Sequence, residues 1–326
     1  MSRVVVVTGA SAGVGRATAH AFARRGDAVA LLARGEDGLQ GTREEVESLG
    51  GRALPIVTDV ADAEQVEAAA QRVEGELGEI DVWVNDAMTT VFSPFKDLES
   101  DEYRRATEVT YLGYVWGTMA ALRRMLPRDR GTIVQVGSAL SYRAIPLQAP
   151  YCGAKFAIRG FTDSIRTELL HDRSNVHVTM VQLPAVNTPQ FDWCKTRLPK
   201  HPQPVPPIYQ PEVAADAVVW ASEHRRREVW VGRSTVMAIL GNKLAPGLAD
   251  RYLGRTGYKA QQTDEPVPAD RPSNLYEPVS GLHATHGDFD DQASDSSREL
   301  WLAENRGRVA AATVAALAGV ALMKWA

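Results

Sequence analysis

The chain has 326 residues, 44% of them hydrophobic and 23% charged. That supplies enough apolar material for a buried core and excludes wholesale disorder. Basic residues number 36 and acidic ones 40, leaving a net charge of −4, so there is no global basic field for gripping nucleic acid. Two cysteines, Cys152 and Cys194, make neither a disulfide framework nor a zinc cluster. A reducing, cytoplasmic compartment and no metal site are the expectation. The run Val4–Val7 is too short for the apolar region of a signal peptide, which needs roughly 7–15 residues.

From Arg3 to about Gly232, short β-rich runs alternate with helical patterns. Strands are expected at Val4–Thr8, Ala28–Ala33, Ala53–Val57, Val82–Asn85, Thr132–Val136, Val176–Leu183 and Val229–Gly232. Helices are expected at Gly15–Arg25, Ala63–Leu77, Asp101–Leu126, Ala154–His171 and Pro211–Glu223. Several strands are apolar throughout, as in a parallel sheet covered on both faces. Repeated strand–helix alternation implies right-handed βαβ units, so the fold class is α/β: a Rossmann-type doubly wound parallel sheet of about seven strands.

Three segments stand outside that alternation. Asn187–Gln210 is dense in proline (Pro189, Pro199, Pro202, Pro204, Pro206, Pro207), which blocks regular helix and strand. It follows a strand at the edge where such sheets bind ligands, so a substrate lid is expected, with Phe191 and Trp193 near an apolar substrate. Residues 261–299 are polar and acidic and read as a flexible linker, which sets a catalytic domain at residues 1–260. Residues 300–326 are expected as an apolar C-terminal helix. Within it Val309–Met323 is uncharged but spans only ~22 Å at 1.5 Å per residue, less than the ~30 Å of a hydrocarbon core. A weak membrane anchor, a helix docked on the body or a partner, and a frayed Ala-rich helix all remain open for it.

The first strand ends in Thr8-Gly9-Ala10-Ser11-Ala12-Gly13-Val14-Gly15, followed at once by a helix. Gly9 permits the tight turn, while Gly13 and Gly15 let the backbone approach a pyrophosphate at a helix N-terminus. The loop's Thr-Gly-x-x-x-Gly-x-Gly spacing resembles the short-chain dehydrogenase/reductase family. That resemblance implies a second signature, and Tyr151-Cys152-Gly153-Ala154-Lys155 supplies it.

Residues at i and i+4 share a helix face, so the Tyr151 hydroxyl and the Lys155 ammonium can reach one site. A free tyrosine, with a pKa of about 10, is a poor base near neutrality. A neighbouring ammonium favours its phenolate, so Tyr151 can exchange a proton with a substrate oxygen. Ser138, thirteen residues earlier, closes a strand and can hydrogen-bond the same oxygen. The resemblance implies that Ser138, Tyr151 and Lys155 are the catalytic set. It covers roughly Arg3–Arg233.

Further positions follow from the same resemblance. Asp59-Val60 stands where the family places an aspartate near the adenine ring. Asn85-Asp86-Ala87-Met88 resembles the family's Asn-Asn-Ala-Gly, with Asp86 and Met88 as departures. Pro184-Ala185-Val186-Asn187-Thr188 resembles the segment near the carboxamide, which implicates Pro184, Val186 and Thr188. Thr110 replaces the asparagine of a proton relay to the lysine; its hydroxyl keeps it a candidate.

No acid closes the second strand, where an enzyme preferring NAD places one. Arg34 stands there instead and can pair with a 2′-phosphate, so NADP is expected ahead of NAD. The leading reading is an NADP-dependent oxidoreductase interconverting a small-molecule carbonyl and an alcohol, working as a homo-oligomer, with membrane contact through residues 309–323 left open. A low-turnover dinucleotide-binding scaffold or sensor on the same fold is the alternative. A sugar-nucleotide epimerase or dehydratase is a third, which the glycine spacing disfavours.

Overall fold

The computed structural model describes residues 2–281 and 283–309. Along the chain, β1 (Val4–Thr8) leads into α1 (Gly13–Ala23), β2 (Ala28–Ala33) into α2 (Glu36–Ser48), β3 (Arg52–Val57) into α3 (Ala63–Glu76), and β4 (Ile80–Asn85) into the short β5 (Val91–Phe92). α4 (Ser100–Thr107) passes through a π-helical turn at Glu108–Leu112 into α5 (Gly113–Met125). Then come β6 (Thr132–Ser138), α6 (Ala149–His171) and β7 (His177–Leu183). The proline-dense stretch holds β8 (Ala185–Val186), α7 (Gln190–Trp193), β9 (Lys195–Thr196), β10 (Lys200–Pro202) and β11 (Ile208–Tyr209). It is followed by α8 (Pro211–Glu223), β12 (Glu228–Trp230), α9 (Arg233–Leu244), α10 (Pro246–Ala260), β13 (Gln262–Pro266), β14 (Ala293–Ser294) and α11 (Arg298–Glu304).

Seven strands pair in parallel in the order β3-β2-β1-β4-β6-β7-β12, giving the expected doubly wound sheet. Side chains alternate across a strand, and both faces are covered, so β1 and β2 are buried along their whole length. Val5 and Val7 join the core beneath α1 and α8, with Phe22 and Val218. Val4 and Val6 join the opposite core, with Trp83, Val73 and Ala121. The strand order reverses between β1 and β4, which opens a crevice beyond their C-terminal ends.

The proline-dense stretch is built of short ordered pieces. β8 and β11 pair in parallel, β11 pairs with β14, and β9 pairs with β5. Phe191 and Trp193 are buried, Phe191 lying between Phe92 and Phe289.

The acidic segment, expected as a solvated linker, packs on the body among the described residues. β13 pairs with β10. Leu275 is fully buried, and Phe289 and Leu300 nearly so. The reason is physical: a few isolated apolar side chains, spaced well apart, each insert into a separate core cluster, while composition averaged over the segment registers only its acids. The Val309–Met323 readings lie, beyond Val309, outside the described residues. Among the described residues no helix is long and apolar enough to cross a membrane.

Phe289 tests this packing. Its ring centroid lies 5.9 Å from that of Phe191. Phe289→Ala is expected to lower the unfolding free energy by about 3–5 kcal/mol, read by denaturant titration. A loss below about 0.5 kcal/mol, the range of a surface substitution, would contradict it.

Candidate active site

The C-terminal ends of β1, β4, β6 and β7 frame one cavity of about 470 Å³. Its floor is the glycine turn. Gly9 adopts a φ of +74° and donates its N–H to the Leu32 carbonyl at 2.7 Å; a Cβ there would lie 2.9 Å from the Ala87 Cα. A Cβ on Gly15 would run into the Gly9 carbonyl, 2.7 Å from its carbon. Thr8 Oγ1 accepts the N–H groups of Asp86 at 3.0 Å and Ala87 at 3.1 Å, which fixes the β4 loop beside the turn. No side chain caps α1; the Gly13 N–H donates to the Ala284 carbonyl at 3.0 Å, which leaves the Val14 and Gly15 N–H groups to meet an anion.

Ser138, Tyr151 and Lys155 sit across the cavity. Ser138 ends β6, and its Oγ accepts the Leu140 N–H at 3.1 Å. Tyr151 lies in the first turn of α6 and Lys155 one turn later. The Lys155 Nζ donates to the Val136 carbonyl at 2.7 Å and to the Tyr114 hydroxyl at 2.9 Å, and lies 5.4 Å from the Tyr151 ring centroid. Tyr114 in turn donates to Val136 O at 2.9 Å. Burial pushes the Tyr151 phenol above its ordinary value, opposed by the Ser138 hydroxyl beside it. Burial also lowers Lys155, opposed by Asp86.

Most of the sequence-derived cofactor residues line this cavity: Gly9, Ser11, Ala12, Gly13, Val14, Arg34, Asp59, Val60, Ala87, Pro184, Val186 and Thr188, beside Ser138, Tyr151 and Lys155. Three candidates do not. Gly15 lies behind the turn and serves its packing. The Asn85 side chain is turned into the core, accepting from Trp83 Nε1 at 2.8 Å and donating to Gln135 at 2.9 Å. Thr110 braces the β4 loop, its hydroxyl donating to Thr89 O at 2.7 Å and accepting Thr89 N–H at 3.0 Å. The hydroxyl that meets Lys155 is that of Tyr114, one helical turn further on.

The sequence reading passed over Tyr114, and the i, i+4 spacing from Thr110 is the signal that could have found it. It also passed over the wall formed by Leu140, Ile145 and Leu253, and the segment after Gln261. There Arg34 donates to the main-chain carbonyls of Asn274 and, at 2.6 Å, Tyr276. Asp59 pairs with Arg105 at 2.6 Å, which also reaches Leu275 O at 3.1 Å.

Asp86 carries the most displaced carboxyl of the cavity. Burial pushes it up to about 7, against the pull of Lys155. The native state therefore keeps a proton that the unfolded chain has released, and stability falls as pH rises from the ordinary carboxyl range to about 7. Asp86→Asn removes that loss. Its Tm advantage over the parent chain is expected to be larger at pH 7.5 than at pH 4.5, measured by thermal unfolding. An advantage independent of pH would contradict the assignment.

Comparison with known proteins agrees with the geometry. A family model described as short chain dehydrogenase matches residues 3–196. An uncharacterized oxidoreductase, YxnA, of Bacillus subtilis (strain 168) is 33% identical over 284 residues, covering 86% of this chain and 80% of that one. Human 17-beta-hydroxysteroid dehydrogenase 13 is 34% identical over 166 residues, 51% of this chain and 55% of its own length. The solved alcohol dehydrogenase from the archaeon Thermococcus sibiricus, complexed with 5-hydroxy-NADP, superposes with a TM-score of 0.62 at 30% identity, covering 71% of this chain and 96% of that one. The chain belongs to the short chain dehydrogenase family and is an oxidoreductase of CH–OH and C=O groups.

Proposed function

We propose that this protein is an NADP-preferring reductase and dehydrogenase of an apolar carbonyl/alcohol pair, with Tyr151 as general acid and base. The observation that carries the reading is the convergence of Ser138, Tyr151 and Lys155 on the cavity floored by the glycine turn. The residues present fit a dinucleotide: Gly9, Ser11, Ala12, Gly13 and Val14 line the floor of the cavity, in a tight turn that a Cβ on Gly9 or Gly15 would break, and α1 has no side-chain cap over its Val14 and Gly15 N–H groups. Bound there, the nicotinamide supplies or accepts hydride.

The chain's own residues do the rest. Ser138 holds the substrate oxygen. Tyr151 gives that oxygen a proton in reduction and takes it back in oxidation. Lys155, pinned by Tyr114 and Val136, places positive charge beside the phenol and favours its phenolate. Leu140, Ile145, Phe191 and Leu253 line the substrate end and exclude water from the transfer.

An apolar substrate is supported by that lining and by relatives whose names denote hydroxysteroid and estradiol dehydrogenases. NADP preference is supported by Arg34 and by the lack of an acid at the end of β2. A homo-oligomer is supported by exposed Met119, Leu126 and Phe156 on and beside α5 and α6.

Tyr151→Phe keeps the ring and removes the proton. Turnover of a ketone with NADPH is expected to fall at least ~100-fold, with NADPH affinity within about twofold of the parent chain. Reduction at near-parent rates would overturn the role of Tyr151.

A further inference from the structure

The C-terminal segment crosses the mouth of the cleft as a strap. One end is held where Arg34 donates to the carbonyls of Asn274 and Tyr276. The other is held at Asn187, whose Oδ1 accepts the Phe289 N–H at 3.1 Å and whose Nδ2 donates to Asp290 at 2.8 Å. Between them the strap touches the phosphate turn itself, Gly13 N–H donating to Ala284 O at 3.0 Å. All these partners belong to, or adjoin, the positions read above as the dinucleotide site.

His283 sits in the middle of this span and lines the cavity. Both of its ring nitrogens are buried and have no hydrogen-bond partner. The ring lies over the start of α2, where Gly38 leaves it room: a Cβ on Gly38 would fall 2.8 Å from His283 Cε1. Gly35, next to Arg34, is the other backbone neighbour, and the Trp193 ring lies 6.4 Å away on the far side. A buried imidazole with two idle nitrogens is costly unless a ligand meets it. In a doubly wound sheet the end of the second strand, where Arg34 and Gly35 stand, is where the adenosine ribose arrives.

We propose that His283 is a ligand of the 2′-phosphate of the dinucleotide, delivered by the strap from outside the family-matched residues. This rests on reading the cleft as a dinucleotide site. Arg34 then has two tasks: its terminal nitrogens hold the strap, and its charge faces the same phosphate. The charged groups that face His283 are Arg16 on α1 and Asp37 on α2. In the free protein burial, then Arg16, keeps the imidazole neutral, opposed by Asp37. A phosphate dianion reverses that balance and draws a proton onto the ring, which makes a charge-assisted hydrogen bond. NAD, without the phosphate, draws none.

The test is titration of the full chain with NADPH and with NADH at pH 6 and pH 8. His283→Ala is expected to weaken NADPH about tenfold or more and to leave NADH within about twofold, with the NADPH loss larger at pH 6. Gly287→Val provides a second variant that leaves every proposed ligand residue unsubstituted. A side chain at Gly287 would meet the Thr188 carbonyl, 2.6 Å from its oxygen, and lift the strap, so NADPH should again weaken more than NADH. Unchanged NADPH affinity in His283→Ala, or equal weakening of both dinucleotides, would overturn the proposal while leaving the cleft as a dinucleotide site. A parent chain that binds NADH but not NADPH overturns it too. Failure of the parent chain to bind either would overturn the cofactor reading itself.

Discussion

The site depends on keeping one ammonium group out of water. Lys155 is 2% exposed, and a buried charge persists only where hydrogen bonds replace its hydration. Two are in place, from the end of β6 and from α5, through Val136 O and Tyr114. That requirement ties three elements together. α6 must start early enough to put Tyr151 and Lys155 on one face. β6 must present a carbonyl rather than a side chain at Val136. α5 must lie close enough to β4 for Tyr114 to reach, and Gly117 allows it: a Cβ there would lie 2.7 Å from Trp83 Nε1. Once the lysine is placed, the tyrosine and serine beside it have defined positions relative to the cleft.

What could be read from the sequence follows the range of the interaction concerned. The sheet is legible because each strand is a short apolar run whose burial on both faces is recorded locally. The glycine turn and the Ser138–Tyr151–Lys155 set are legible because their spacing lies within one turn or one strand–helix unit. Thr110 shows the limit. Its place on the helix can be read locally, but which hydroxyl on that face meets Lys155 depends on how α5 leans on β6, and the structure gives that place to Tyr114. Asn85 shows the same limit: its backbone position near the cleft is local information, while its side chain answers to Gln135 and Thr118 across the sheet.

The segment after Gln261 was illegible for a different reason. Leu275 and Phe289 stand apart among acidic residues, with neither helical nor strand periodicity. Their core partners, among them Val91, Ala106, Phe191 and Ile208, lie far away in sequence, so only the folded chain shows that the segment is packed. Its contacts change the reading of Arg34. Sequence logic treats that arginine as a free cation at the end of β2, whereas in the fold it is already bound to main-chain carbonyls of residues 274 and 276. The wall of the cleft thus comes partly from residues beyond the region matched by the family model.

The central claim is that this cleft moves hydride between a nicotinamide and a substrate carbon while the protein supplies only the proton on oxygen. Reduction of an apolar ketone with NADPH carrying deuterium at the transferred C4 position, run in ordinary water, tests it directly. The account predicts an alcohol labelled on the carbinol carbon, and the same reaction with unlabelled NADPH in deuterium oxide should leave that carbon unlabelled. Deuterium on the carbinol carbon from solvent, with none from NADPH, would contradict it.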